Sequence, residues 1–335
     1  MGGTTLAVRL DSAGDVLLTG PALRALAHGS DQLVVLTGPR GSAVVELLPH
    51  VDEVVEWHCP WIDPEPRPVA AEDVEALVAR LASYDVERAV VFTSFHQSPL
   101  PTALLLRLAG VPHVSAISED YPGSLLDVRH RPTEEQHEVQ RALGLARAAG
   151  FELPAHDWGL LEVRHPLPDP PADLEPPYVV LHPGTSVPAR AWEPDRWATL
   201  ARLLRTAGHR VVVTGGPDEV ELTRRVAQDG ALDLGGTTSW AQLAAVLAQA
   251  EAVVVGNTGP AHLAAAVGTP VVSLFSPVVP AARWAPYGVP TVLLGDQSAP
   301  CAGTRARECP VPGHPCLTSV TGQDVVAAVE KLVDA

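Results

Sequence analysis

Short runs of β-branched residues alternate with amphipathic helical patterns along nearly the whole chain, and the alternation breaks once, at 164–177, before it restarts. A strand buried on both faces needs a helix to cover the sheet and carry the chain back, so this pattern predicts parallel βαβ units. In the first half it predicts strands over 6–10, 33–37 and 89–92 and helices over 16–27, 74–82 and 133–149. In the second half it predicts strands over 178–181, 210–214, 252–255, 271–274 and 291–294. The helices expected there run over 195–206, 219–227, 240–248 and 323–332.

The break, "RHPLPDPPADLEPP", contains six prolines. They remove backbone donors and forbid a regular helix or a central strand, so the stretch reads as an extended linker. A chain of 335 residues is also longer than one hydrophobic core usually grows. The expectation is an N-terminal α/β domain over 1–163, a linker over 164–177 and a C-terminal α/β domain over 178–335. The last helix is allowed a place against the N-terminal domain.

The formal net charge of −16 argues against nucleic acid as a partner, because phosphate backbones need a basic footprint. A small anion gripped by a few placed groups is compatible with it. The start "MGGTTLAVRL" has no signal-peptide pattern and no run of about 18 apolar residues occurs, so a cytoplasmic protein with at most peripheral membrane contact is expected. Cys301, Cys309 and Cys316 cluster near His314 without a C-x2-C half. That loose spacing leaves metal binding open against thiols lining an ordered loop, and no metal or cofactor is assigned.

In doubly wound folds ligands bind beyond the carboxyl ends of strands, which directs attention to three strand-to-helix turns. The first is "RLDSAGDVLLTG", where Gly14 allows a tight turn and Asp15 stands at the helix start. Asp15 there is either an N-cap or a carboxylate able to take a proton from a bound hydroxyl. The second is "LHPGTSVPARAW", in which Gly184 admits close backbone approach, Thr185 and Ser186 offer hydroxyls, and Arg190 offers a fork-shaped cation for phosphate. The alternative is a polar turn with a solvated arginine, and Trp192, Pro194 and Trp197 read as opening and packing the next helix.

The third turn, "VVVGNTGPAHLAAAVG", interrupts a valine run with Gly256, Asn257, Thr258, Gly259, Pro260 and His262. Pro260 suits a first helical turn, and Asn257 or Thr258 can cap. A helix that starts this way offers N–H groups and its positive dipole end to a diphosphate, with His262 as a further donor or as a locally satisfied ring. Glu219, after Gly215 and Gly216, is either an ordinary acidic helix start or a contact to a ribose hydroxyl. No complete G-x-G-x-x-G, Walker loop, G-x-S-x-G or H-E-x-x-H occurs, and no D-x-D pair follows a strand.

Taken in order, these segments resemble glycosyltransferase family 9, the ADP-heptose:lipopolysaccharide heptosyltransferase family. "REC" followed by "HPCL" is similar to the family's C-terminal loop. The resemblance implies a GT-B fold, two Rossmann-like doubly wound domains facing across a cleft, with acceptor on the N-terminal side and nucleotide sugar on the C-terminal side. It implies a metal-independent, inverting transfer from a nucleotide-diphosphate sugar, ADP-heptose favoured, to a glycan, glycolipid or small-molecule acceptor. It further implies Asp15 as catalytic base, Thr185, Ser186 and Arg190 as phosphate ligands, Thr258, Gly259 and His262 at the donor helix, and Glu219 near the ribose. Two positions depart from the family: Asn257 stands where aspartate is usual, and Arg190 where lysine is common. Rival expectations are a GT-B-type epimerase or hydrolase of nucleotide sugars and a non-catalytic nucleotide-sugar-binding protein.

Overall fold

A computed structural model describes residues 2–171 and 174–334. The chain divides into two compact units, Met1–Val163 and Arg164–Ala335.

The first unit runs β1 (Thr4–Arg9), α1 (Ala13–His28), β2 (Gln32–Thr37), α2 (Ser42–Val45), β3 (Glu53–Glu56) and α3 (Ala71–Ala82). It continues with β4 (Val86–Val91), α4 (Leu100–Leu108), β5 (His113–Ile117), β6 (Val128–His130) and α5 (Glu138–Ala148). Its sheet is parallel throughout, in the order β3-β2-β1-β4-β5-β6.

The second unit runs β7 (Val179–His182), α6 (Pro194–Thr206), β8 (Val211–Val213), α7 (Val220–Val226), β9 (Leu232–Asp233) and α8 (Trp240–Ala248). There follow β10 (Ala252–Gly256), α9 (Gly259–Ala266), β11 (Val271–Leu274), α10 (Ala281–Trp284), β12 (Thr291–Leu294), α11 (Pro315–Thr318) and α12 (Gly322–Val333). Its sheet is also parallel, β12-β11-β10-β7-β8-β9. Counted from the first strand of each unit, both orders are 3-2-1-4-5-6, the Rossmann order. Each sheet therefore has one point where the winding reverses, between β1 and β4 and between β7 and β10.

The central strands are apolar runs because both faces are covered: every residue of β7 and β10 is buried. Helix α9 reads GPAHLAAA, and its small side chains let it press on the sheet with seven of its residues buried. Pro194 occupies the first turn of α6, and Trp197 packs edge-on against Trp192 with centroids 5.4 Å apart. Helix α12 packs on α6 and on β10, β11 and β12 of its own unit, where the sequence allowed it a place on the first unit. The apolar face of α12, Val325, Ala328 and Val329, is part of that unit's core.

Residues 164–171 and 174–177 form neither helix nor strand; residues 172 and 173 of the expected linker lie outside the described residues. Helix α5 begins at Glu138, five residues later than the pattern placed it, because the His137 ring accepts the Val139 N–H and caps it there. No helix among the described residues is long and apolar enough to cross a membrane.

Candidate active site

Both reversal points gather polar side chains, and they do so with different chemistry. At the first, Arg9 ends β1 with only 3% of its surface exposed. Its Nε lies 3.1 Å from Asp11 Oδ2, and its Nη2 donates to Asp15 Oδ1 at 3.0 Å and to Ser94 Oγ, beyond β4, at 3.2 Å. Burial works against the guanidinium's charge, but Asp11, Asp15 and Glu138 outweigh it and hold Arg9 above its ordinary range.

Asp15 is not a cap. Ser12 is the N-cap of α1, without a side-chain capping bond, and Asp15 is the third helical residue. Its carboxylate accepts from the Ser12 hydroxyl at 2.7 Å as well as from Arg9. Gly14 is helical and buried, so its small size serves the packing of the first turn of α1 rather than a tight turn before it.

Arg9 and Asp11 lie within the "RLDSAGDVLLTG" turn but were assigned no role from the sequence, and neither were Ser94 and Gln97. Gln97 Nε2 donates to Asp11 Oδ1 while its Oε1 accepts the Ser94 N–H at 2.9 Å, which fixes the loop after β4 to the turn after β1. Burial raises the Asp11 carboxyl well above the usual carboxylate range; Arg9 opposes this and Asp15 adds to it. Glu138 and Arg141 on α5 close the surroundings, 3.3 Å apart, with Arg141 also donating to the Thr93 carbonyl. Only the pairing of β1 with β4 brings these residues together.

At the second reversal point the ends of β7 and β10 are neighbours, Val255 opposite His182, so the turns that follow them must meet. Arg190 Nη1 donates to the Asn257 carbonyl at 3.4 Å. A Cβ at Gly256 would stand 2.9 Å from Thr185 Cγ2 and 3.5 Å from the Arg190 carbonyl, so the turn after β7 can lie this close only over glycine. Thr185 Oγ1 donates within its own turn to Val187 O at 3.1 Å, and Ser186 is exposed.

Thr258, one of the two caps expected, occupies the N-cap of α9 in extended conformation, with no capping bond from its side chain, and Gly259 and Pro260 open the helix. Asn257 is 5% exposed, and its Oδ1 has no hydrogen-bond partner among the described residues. His262 is buried in the same helical turn. The helix terminus thus presents backbone donors beside a guanidinium, the arrangement that suits a phosphate oxygen.

Glu219 lies beside this place. Its Oε2 accepts the Gly216 N–H at 2.8 Å, its carboxylate presses on Gly184 where any Cβ would overlap it, and it stands 3.8 Å from His182 Nε2. His182 is buried, its Nδ1 3.0 Å from Thr214 Oγ1, and burial pulls its pKa down to about 4, so the ring is neutral at neutral pH. The cysteine loop does other work. Cys301 and Cys316 belong to the core, Cys309 donates to the Val311 carbonyl, and the His314 ring contacts the Ala189 carbonyl at 3.2 Å. Among the described residues no three His, Cys, Asp or Glu side chains are grouped to hold a metal ion.

Two parallel six-stranded sheets in the Rossmann order, one in each unit, are the layout of a GT-B-type fold. The sequence profile of glycosyltransferase family 9 (heptosyltransferase) matches residues 78–314, and the chain belongs to that family. It is 29% identical over 290 residues to lipopolysaccharide heptosyltransferase 1 of Escherichia coli K12, covering 82% of this chain and 88% of that one. Among solved structures, the family 9 glycosyltransferase of Veillonella parvula superposes with a TM-score of 0.79 at 17% identity, covering 99% of this chain and 97% of the other. The E. coli heptosyltransferase solved with ADP-2-deoxy-2-fluoro heptose gives a TM-score of 0.71 at 22% identity, covering 98% and 99%.

Proposed function

We propose that this glycosyltransferase moves a heptose or closely related sugar from ADP-heptose to a hydroxyl of a glycan, glycolipid or small molecule, with inversion and without a metal ion. The observation that carries the donor reading is the meeting of Arg190 with the Asn257 carbonyl at the uncapped start of α9. The donor diphosphate rests there, on the helix N–H groups, Thr185, Ser186 and Arg190, with Thr258, Gly259 and His262 shaping the turn. Glu219, already oriented by the Gly216 N–H, offers its other oxygen to the ribose. Lipopolysaccharide heptosyltransferase 1 of E. coli and the heptosyltransferase solved with ADP-2-deoxy-2-fluoro heptose support heptose as the sugar, ADP as the nucleotide and lipopolysaccharide as the first acceptor to try.

In the reaction the acceptor O–H gives its proton to Asp15, and its oxygen bonds to the anomeric carbon. The bond from that carbon to the bridging phosphate oxygen breaks, and its electron pair leaves with ADP. Charge growing on that oxygen is met by the α9 terminus and Arg190, which stabilise it more in the transition state than in the bound donor. One displacement inverts the stereochemistry, and no covalent sugar intermediate forms.

Calorimetry of the full chain with ADP, UDP, GDP and CDP tests the donor reading, with ADP expected to bind tightest. Mass spectrometry of a deacylated lipopolysaccharide core incubated with ADP-heptose then tests transfer. Equal affinity for all four nucleotides, or release of free heptose at the same rate without acceptor, overturns the proposal.

A further inference from the structure

The loop that carries Cys309 and His314 is sewn to the turn that bears Arg190. The Ala189 N–H donates to the Arg307 carbonyl at 2.9 Å, Trp192 Nε1 to the Leu317 carbonyl at 3.1 Å and Arg196 Nη1 to the Val320 carbonyl at 2.9 Å. A fourth contact runs the other way: His314 Nε2 meets the Ala189 carbonyl at 3.2 Å. Of these four it alone is made by a side chain from 307–320. A carbonyl only accepts, so this bond requires the ring proton on Nε2.

The contact falls on the peptide unit that leads into Arg190. Its carbonyl, Ala189 O, is held by His314, and its N–H, that of Arg190, donates to the Val187 carbonyl at 3.1 Å. With both polar groups taken, the plane of this peptide is fixed, and so is the direction in which the Arg190 side chain leaves the backbone. Ala189 is 1% exposed, a place where a carbonyl without a partner is costly. His314 reaches it from a left-handed backbone, φ 48° and ψ 52°, directly after Gly313 at φ 79°. Side chains other than asparagine and aspartate seldom take up that conformation, and the strain marks a position held for its contact.

We propose that His314 is a positioning residue for the donor: by holding the Ala189 carbonyl it fixes the peptide plane from which Arg190 reaches the Asn257 carbonyl and the donor diphosphate. The inference rests on the reading of Arg190 as a phosphate ligand. It requires no contact between His314 and the nucleotide.

The experiment is calorimetry of the full chain with ADP and with adenosine, for His314→Asn, His314→Gln and Arg190→Ala. The asparagine amide stands where Nδ1 was and falls short of the Ala189 carbonyl, whereas the glutamine amide nitrogen can take the place of Nε2. ADP affinity is expected to fall about fivefold in His314→Asn and to return to within about twofold of wild type in His314→Gln, with adenosine affinity unchanged in both. A role confined to the stability of the loop predicts the reverse order, since asparagine is the easier residue at a left-handed position. That order, equal losses in the two variants, or an equal loss for adenosine overturns the proposal. So does a loss from His314→Asn that persists in full when Arg190 is already alanine. Should His314→Asn not fold, the wild-type chain still decides. Nitrogen-15 NMR of the labelled ring at alkaline pH, assigned by its loss in His314→Gln, is expected to show the proton on Nε2, and a proton on Nδ1 alone overturns the proposal. The reading of Arg190 is judged separately. Unchanged ADP affinity in Arg190→Ala sinks that reading, whereas weakened binding in Arg190→Ala beside unchanged binding in His314→Asn sinks the role of His314 alone.

Discussion

Arg190 reaches across 67 residues of sequence to donate from Nη1 to the Asn257 carbonyl at 3.4 Å, tying the turn after β7 to the turn after β10. The bond orients the guanidinium toward the start of α9, where the fork suits a phosphate oxygen. Arg190→Ala should weaken ADP binding by about tenfold to a hundredfold, the range for losing a hydrogen-bonded charge pair. Arg190→Lys should recover only part of this, because an ammonium cannot hold the carbonyl and a phosphate in one plane. Calorimetry with ADP checks both.

Asp15→Asn should leave ADP affinity within about twofold of wild type while transfer falls by at least about a hundredfold, the scale of a lost general base. The amide keeps the bond from Ser12 but cannot take a proton. Equal losses in binding and in turnover would assign Asp15 to the donor pocket instead. Isothermal binding and a mass-spectrometric transfer assay on the same preparation separate the outcomes.

Two glycines beside the donor site predict opposite signatures. In Gly256→Ala the new methyl meets Thr185 Cγ2 at 2.9 Å in a fully buried strand end, so stability should fall by about 1 to 3 kcal/mol together with ADP affinity. In Gly184→Ala the atoms in the way are the carboxylate of Glu219, the far end of a flexible side chain. Glu219 can swing aside, so the melting temperature should hardly move, while the bond to the Gly216 N–H and any ribose contact are lost. Thermal melts set against ADP titrations discriminate the two.

The apolar elements were legible in the sequence because central strands buried on both faces leave valine-rich runs, and edge strands and helices leave short β-branched or amphipathic patterns of their own. The strands at 271–274 and 291–294 and the helix at 240–248 match residue for residue. β6, with three residues, and β9, with two, are too short to show a period, and α4 is apolar on several sides, with Pro101 in its first turn. The turns after β7 and β10 announced themselves through glycine and proline. The Arg9 network did not, because Asp11 and Asp15 meet Arg9 only once the turn after β1 is folded, and Ser94 reaches Arg9, and Gln97 reaches Asp11, only when β4 is laid beside β1.

Two buried groups give the acid side of the stability profile a predictable shape, and they act with opposite signs. His182 falls from an ordinary 6.5 to about 4 because burial disfavours its cation. Between those values the unfolded chain binds a proton that the folded chain refuses. Stability is therefore lost as pH falls from about 6.5 to about 4, by roughly 3 kcal/mol in all. Asp11 is raised by burial, so its folded form binds a proton before its unfolded form does. Acidification through that interval relieves a buried charge and adds stability, partly masking the His182 loss. Asp157, lowered first by its bond from Arg24, contributes stability that disappears only below the usual carboxylate range, outside this window. Urea unfolding at intervals from about pH 7.5 to 4.5 should accordingly give a shallow acid slope for the wild-type chain. His182→Asn, whose amide can still meet Thr214, should flatten or invert it, and Asp11→Asn should steepen it. The slope, not the absolute stability, is the reading, since either substitution also changes packing; identical slopes in all three chains would mean that neither side chain is buried as described.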